Sequence, residues 1–206
     1  EKMEEQINPS ELPAIQVSVD DLRIANMLLG RTELVTIPTT VGMKIQKLST
    51  QSALLSTSVS GLWQGQGKQQ RVALKAQVAS PDLGKLLASM QYADMINRGE
   101  VNADIDIFWS GALTDFSLQT ISGVLDLNIK EGQILHVEPG GSGRVLGLFS
   151  LAEIPRRLSL DFSDFFGKGF AFKKMSGHFN FAHGKANTDN FLITAPPADL
   201  KLSRPT

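Results

Sequence analysis

The ten residues from Val101 to Ser110 read VNADIDIFWS. Successive side chains of a β-strand point to opposite faces of the sheet, so a strict alternation of apolar and polar residues indicates a strand with one apolar face. Asn102, Asp104 and Asp106 would share the polar face. The apolar face would carry every second residue of the stretch, namely Val101, Ala103, Ile105, Ile107 and Trp109.

The same period of two recurs along the chain, before and after this stretch. Short glycine-containing segments follow two of the alternating runs, at 130–133 and 183–185. Such segments are typical of the tight turns in antiparallel hairpins. The sequence therefore predicts an antiparallel meander, built from the stretch above and from further alternating segments at 15–19, 71–78, 125–129, 158–162 and 178–181.

Helical spacing of apolar residues is found in two segments, Pro81 to Met90 and Val145 to Ile154. In the first, Ser80 stands before Pro81, where a small hydroxyl residue can cap a helix. Apolar residues recur every three or four positions in this segment, which indicates one buried helix face. That face would carry Leu83, Leu86, Leu87 and Met90.

Weak internal repetition indicates repeated units of one helix followed by strands. Trp63-Gln64-Gly65 and Trp109-Ser110-Gly111 each close an alternating run, and Ser122 to Leu127 resembles Ser176 to Phe181. We therefore expect a mostly β protein: an extended, curved antiparallel sheet with two short amphipathic helices between strand groups. The expected units are 1–79, 80–141 and 142–206, all within one continuous sheet. Its apolar face could close into a barrel, pack on a second sheet, or line a groove for a ligand.

Composition limits the functional classes. The 206 residues include 20 basic and 21 acidic residues, so no basic excess favours nucleic acid as a partner. There is no cysteine, and the longest nearly uncharged apolar run, about Val145 to Ile154, is far shorter than the roughly 20 residues that span a bilayer. The chain starts Glu1-Lys2-Met3 without an initiator methionine, and we expect it to be a fragment of a longer protein.

The sequence offers little to catalysis. His178 and His183 have no spacing familiar from metal sites, and Asp104 and Asp106 would share a solvated strand face. No Gly-x-Ser-x-Gly nucleophile motif is found, and no glycine loop ends in Gly-Lys-Ser or Gly-Lys-Thr. We expect no catalytic residues, no metal, no cofactor and no bound nucleotide.

The stretch from Pro139 to Phe162, PGGSGRVLGLFSLAEIPRRLSLDF, is open to three interpretations. Its glycines could cradle a phosphate, although the lysine and hydroxyl of nucleotide loops do not follow them. The apolar segment flanked by Arg144, Arg156 and Arg157 could lie in a membrane interface. The third interpretation, which we favour, is a junction between two strand groups, in which a helix ends at Pro155 and the next strand begins.

Several motifs in this part of the chain resemble one known family. They occur in a fixed order and cover residues 99–194 well, whereas the first 80 residues fit only by general pattern. The matching segments are Gly143 to Leu151, Ile154 to Asp164, Gly167 to Phe172, Ser176-Gly177 and Ala186 to Asn190. In these features the chain resembles the C-terminal region of the YhdP family of AsmA-like bacterial envelope proteins.

The resemblance implies a function in lipid transport. Such proteins are similar to bridge-like lipid transfer proteins, in which repeating β-groove units cross the periplasm from an anchor in the inner membrane. It implies that phospholipid is the partner, that both membranes are contacted through parts of the parent protein not present here, and that the segment lies in the periplasm. The alternative is a non-catalytic envelope scaffold or outer-membrane assembly factor with a closed β core.

Two sets of candidate residues follow from the resemblance taken together with the alternation. An acyl chain needs a continuous apolar strip, which alternating strands supply because every second side chain shares a face. The candidate groove residues are Ile105, Ile107, Trp109, Leu125, Leu127, Ile129, Leu158, Leu160, Phe162, Phe179 and Phe181. A helix that caps or crosses the groove would contribute Val145, Leu148, Phe149 and Leu151.

Overall fold

The structure is a computed structural model and describes residues 7–92, 95–135, 170–195 and 198–202. In these ranges there are one α-helix and eleven strands, all in one sheet. The bounds are β1 Ile15–Ile24, β2 Met27–Thr39, β3 Gly42–Gln51, β4 Ser56–Gln64, β5 Arg71–Ser80, α1 Leu83–Ser89, β6 Ile96–Ser110, β7 Ser122–Ile134, β8 Phe170–Ala182, β9 Lys185–Asn187, β10 Phe191–Ala195 and β11 Ala198–Leu202.

The sheet is an open, curved antiparallel meander, as the alternation predicted. From β1 to β8 each strand pairs with the next strand in sequence, and the order then continues through β10 to β11. The short strand β9 pairs with β8 beside this path. A mostly β fold with one extended sheet is therefore confirmed.

One of the two predicted turns is confirmed and the other is wrong. His183 and Gly184 both have positive φ, 52° and 72°, and connect β8 to β9 as a tight hairpin. Glu131 and Gly132 instead lie inside β7, although Glu131 has a φ of 52°. A Cβ on Gly132 would lie 2.5 Å from the ring of Phe172, so this glycine serves close packing between β7 and β8.

Helix α1 forms where helical spacing predicted it, but its cap is not Ser80. The side chain of Asp82 accepts a hydrogen bond from the Lys85 amide at 3.0 Å, so Asp82 is the N-cap. The Ser80 hydroxyl accepts from the Asp82 amide at 3.2 Å and supports this cap. The second predicted helix, Val145 to Ile154, lies outside the described residues.

Helix α1 packs closely on the sheet. A Cβ on Gly84 would lie 2.5 Å from the Ile96 carbonyl oxygen, so only glycine permits this approach to β6. On the opposite side Leu86 is buried with Leu29 of β2. Seven helical residues span only about 10 Å, whereas β2 and β6 are four strand positions apart, or about 19 Å in a flat sheet. Because α1 nevertheless contacts both strands, the sheet is curved between β2 and β6.

Candidate functional site

One row of side chains runs across the apolar face from strand to strand. We call these residues the central row. The pairing register places one of them on each of the first eight strands. At about 4.8 Å per strand, seven intervals give a length of about 34 Å. The central row consists of Val17, Leu34, Leu48, Val59, Ala76, Ile105, Leu125 and Phe179.

The central row is accessible to solvent along most of its length. Its six inner members, from Leu34 to Leu125, are half-buried. Val17, on the edge strand, is 46% exposed, whereas Phe179 at the other end is 3% exposed. The Phe179 ring packs against Phe191, with centroids 5.8 Å apart. A strip of apolar side chains thus remains partly uncovered between better buried regions.

A buried cluster borders the central row on one side, near one end of the strands. We call it the tryptophan wall. Trp63, Val72 and Trp109 are adjacent on β4, β5 and β6, and Ile121 completes the cluster. Leu12 packs against it from the segment that precedes β1.

Gln70 joins three segments at the tryptophan wall. Its side-chain oxygen accepts from Trp63 Nε1 at 2.9 Å, and its Nε2 donates to the Ile7 carbonyl at 2.7 Å. Its main-chain carbonyl accepts from the Gly111 amide at 2.7 Å. Because Gln70 is only 3% exposed, these bonds satisfy groups that water could not reach.

Two further clusters lie toward the other end of the strands. In the first, Leu86 of α1 is buried with Leu29 and Leu55, and Val78 of β5 packs against them. This cluster and α1 form what we call the helix wall. The second, formed by β6, β7, β8 and β10, contains Val101, Ile129, Phe172, Met175 and Ala195. The central row therefore lies between buried regions at both ends of the strands.

Threonines replace aliphatic residues on part of the apolar face. Thr32, Thr50 and Thr57 lie side by side on β2, β3 and β4, next to the central row. The hydroxyls of Thr50 and Thr57 are 2.9 Å apart, and Thr32 donates to the Gly30 carbonyl. Because these hydroxyls are bonded within the protein, the face remains poor in free polar groups.

The opposite face of the sheet is polar. Asp104 accepts from Gln77 at 3.0 Å, whereas Asp106 is paired with Lys75 at 3.1 Å, so the two carboxylates have different partners. Asp126 contacts the His178 ring at 2.7 Å. Among the described side chains, no three metal-binding groups cluster. This face is therefore a solvated surface.

An ion pair on this face shows the effect of charge. Lys47 donates a hydrogen bond to the Glu33 carboxylate across β2 and β3. That hydrogen bond, together with the positive charge of Lys47, holds the pKa of Glu33 below its ordinary value. Both side chains are well exposed, so we assign the pair little stabilising free energy.

The structure places the predicted groove residues in different surroundings. Ile105, Ile107, Leu125 and Leu127 are half-buried, in or beside the central row. Phe181 is also half-buried and packs against the tryptophan wall. Three others are nearly fully buried in clusters or ring contacts: Trp109, Ile129 and Phe179. The remaining candidates lie outside the described residues, namely Leu158, Leu160, Phe162, Val145, Leu148, Phe149 and Leu151.

Some residues of the central row were missed by sequence reasoning. Leu34, Leu48 and Val59 belong to it, yet none was among the candidates. Serine and glycine interrupt the alternation around Val59, in the segment STSVSGLW. The signal that could have found Val59 is the register of the paired strands, which aligns Val59 with Ala76 and Ala76 with Ile105.

The described part of the chain has no helix of the length and apolarity needed to cross a bilayer. A sequence model of the family described as YhdP protein matches residues 1–203. The "Intermembrane phospholipid transporter YhdP" of Escherichia coli (strain K12) is 24% identical over 203 residues. That alignment covers 96% of this chain but 16% of the relative. No solved structure gives a significant match. The chain therefore belongs to the YhdP protein family.

Proposed function

We propose that this chain is a phospholipid-binding part of a transport path between two membranes. The observation that carries the proposal is the central row, a partly uncovered apolar strip about 34 Å long between buried walls. The name of the Escherichia coli relative supplies the ligand class, since that protein is an intermembrane phospholipid transporter.

The chemistry of the central row suits an acyl chain. Each methylene moved from hydrocarbon into water costs about 0.8 kcal/mol, which prevents a lipid from crossing an aqueous gap unaided. On the central row, methylenes contact residues such as Ile105 and Leu125 instead of water. One leaflet of a bilayer has a hydrocarbon depth of about 15 Å, so a row of about 34 Å is longer than one extended chain.

The arrangement of the walls supports movement across the strands. The tryptophan wall and the helix wall restrict the strip at the two ends of the strands. Val17 lies on the edge strand β1 and is exposed, so the strip stays open at that edge of the sheet. A lipid would therefore move from strand to strand, with its headgroup in water and its chains on the central row.

In the fuller form of the proposal, the segment is part of a periplasmic groove. The groove would run from an inner-membrane anchor toward the outer membrane, and both membranes would be reached through other parts of the parent protein. The segment would neither catalyse a reaction nor hold a cofactor. Flow in one direction would need a driving force from elsewhere.

A pair of adjacent positions tests the proposal. Ile107 is half-buried on the apolar face, whereas Asp106 points to the polar face beside Lys75. A photo-crosslinking residue at Ile107, in the chain expressed in a bacterial envelope, should form phospholipid adducts that mass spectrometry identifies. The same residue at Asp106 should not form them.

Equal labelling at both positions, or none at either, would exclude a lipid-bearing apolar face. That outcome would favour the scaffold interpretation, in which the apolar face is only a packed core. A scaffold also predicts that no phospholipid copurifies with the chain in native mass spectrometry.

A further inference from the structure

The segment between β6 and β7, residues 111–121, exposes large apolar side chains although it is well ordered by hydrogen bonds. Leu113, Phe116 and Leu118 are all exposed, and Phe116 is 50% exposed. Large contiguous apolar patches on a protein surface often mark binding sites. We call these three residues the apolar rim.

The shape of this segment is fixed by local bonds. The Trp109 indole donates to the Ala112 carbonyl at 2.8 Å, and the amides of Thr120 and Ile121 donate to the Ser117 carbonyl at 3.0 and 3.1 Å. Ile121 is buried in the tryptophan wall. The apolar rim is therefore held in place at both ends of the segment.

The apolar rim contacts the tryptophan wall, which borders the strip that contains the central row. The Phe116 ring meets Trp109 edge to face, with centroids 5.3 Å apart. Trp109 lies on the same face of β6 as Ile107, two residues away, which corresponds to about 6.6 Å. Ile107 and the buried Trp109 thus lie between Ile105 of the central row and the apolar rim, a path of about 18 Å along β6 and across the ring contact.

Charge distinguishes this rim from the helix wall. The segment 111–121 contains a single charged residue, the exposed Asp115, whose carboxylate accepts from the Ala112 amide at 2.8 Å. On α1, by contrast, Lys85 is paired with the cap residue Asp82. Of the two borders of the strip, the rim is the one in which three exposed apolar side chains accompany a single charged residue.

We propose that the apolar rim binds the second acyl chain of a phospholipid whose first chain lies on the central row. This inference rests on the function proposed above and adds a second contact site for the same ligand. The two chains of a phospholipid leave one glycerol unit, and a second chain that diverges from the first would pass Ile107 and Trp109 to reach the rim. A lipid with a single chain would use the central row and leave the rim free.

A comparison of two-chain and one-chain lipids tests this arrangement in the full 206-residue chain. The probes are dipalmitoylphosphatidylglycerol and palmitoyl-lysophosphatidylglycerol, which share a headgroup and a chain. Phe116→Ser should raise the Kd for the two-chain lipid about tenfold, the effect expected from losing part of a phenylalanine contact. The Kd for the one-chain lipid should change by less than about twofold.

The matched control is Phe108→Ser. Phe108 is also a partly exposed phenylalanine, but it lies on the polar face of β6, where Arg71 stacks on its ring at 4.2 Å. Its replacement should change neither Kd. If Phe116→Ser weakens both lipids equally or neither, or if Phe108→Ser has the same effect, the inference is wrong. If the unaltered chain binds neither lipid, the proposed function itself is wrong.

A second measurement covers the case in which Phe116→Ser fails to fold. Leu118 and Gln119 are adjacent and both exposed. A photo-crosslinking residue at Leu118 should capture the two-chain lipid and not the one-chain lipid, while Gln119 should capture neither. Capture of both lipids at Leu118, or of neither, would contradict the inference.

Discussion

Trp63 and Trp109 lie on either side of Val72 in neighbouring strands, and each indole N–H is hydrogen bonded. Trp63 bonds to the Gln70 side chain, and Trp109 bonds to the Ala112 carbonyl in the loop that follows β6. The tryptophan wall therefore combines buried aromatic surface with satisfied polar groups. Its position depends on loops as well as on strands.

Gln70→Leu should destabilise the protein. The change removes the acceptor of the Trp63 indole and the donor to the Ile7 carbonyl, and an unsatisfied buried group costs about 1–3 kcal/mol. We expect a loss of about 2 kcal/mol in the free energy of unfolding, measured by urea titration with tryptophan fluorescence.

The neighbouring Gln69 provides the control for this change. Gln69 is exposed, so Gln69→Leu should alter stability by less than about 0.5 kcal/mol. Equal urea midpoints for the two variants would show that the Gln70 bonds contribute nothing to the tryptophan wall.

Gly84→Ala should destabilise the protein although alanine favours helices. In an exposed helix interior this change would gain about 1 kcal/mol. Here the new Cβ would lie 2.5 Å from the Ile96 carbonyl oxygen, so α1 must move away from β6. Thermal unfolding should show a lower Tm than for the unaltered chain, whereas exposed Lys85→Ala should show little change. A higher Tm for Gly84→Ala would contradict the close approach.

The sheet could be predicted from the sequence because its strands have one apolar face and one polar, solvated face. Val101 to Ser110 shows this directly, since burial alternates along β6 almost as polarity does. Alternation does not reveal how strands align, and alignment is what creates the central row. Val59 shows no clear pattern within its own segment and joins the row only through its pairing with Ala76.

Other features could not be predicted because they depend on contacts between distant segments, which no periodic pattern of residues reveals. Gln70 reads as a polar loop residue, yet it is buried because three segments meet there. Glu131-Gly132 has the composition of a turn, but pairing with β8 continues on both sides of Glu131, so the chain runs on as one strand despite the positive φ there. The burial of Thr32 and Thr50 could not be predicted from an apolar pattern either, because threonine is polar and these hydroxyls find their partners only in the folded sheet.

Thr57→Val should cost more stability than Thr50→Val. The Thr57 hydroxyl lies 2.9 Å from the Thr50 hydroxyl and also accepts from the Thr50 amide at 3.2 Å, so its loss leaves two groups without this partner. Thr50→Val leaves the amide bond to Thr57 in place. We expect losses of about 2 and about 1 kcal/mol respectively, measured by urea titration. Equal losses, or a larger loss for Thr50→Val, would contradict this assignment of donors.

The cap of α1 should make stability depend on pH in the acid range. The hydrogen bond from the Lys85 amide is the main cause that lowers the pKa of Asp82 from its ordinary value of 3.8. A group with a lowered folded pKa stabilises the fold above its unfolded pKa, and this contribution is lost as the pH falls through the folded value. Asp82→Asn keeps a capping oxygen but does not titrate. Asp82→Ala loses the cap, so it should be less stable than Asp82→Asn by about 1 kcal/mol at every pH. The stability of the unaltered chain relative to Asp82→Asn should therefore be constant near neutral pH and decrease below about pH 4. A difference between these two proteins that stays constant through the acid range, in urea titrations at a series of pH values, would exclude a role for the Asp82 charge in capping α1.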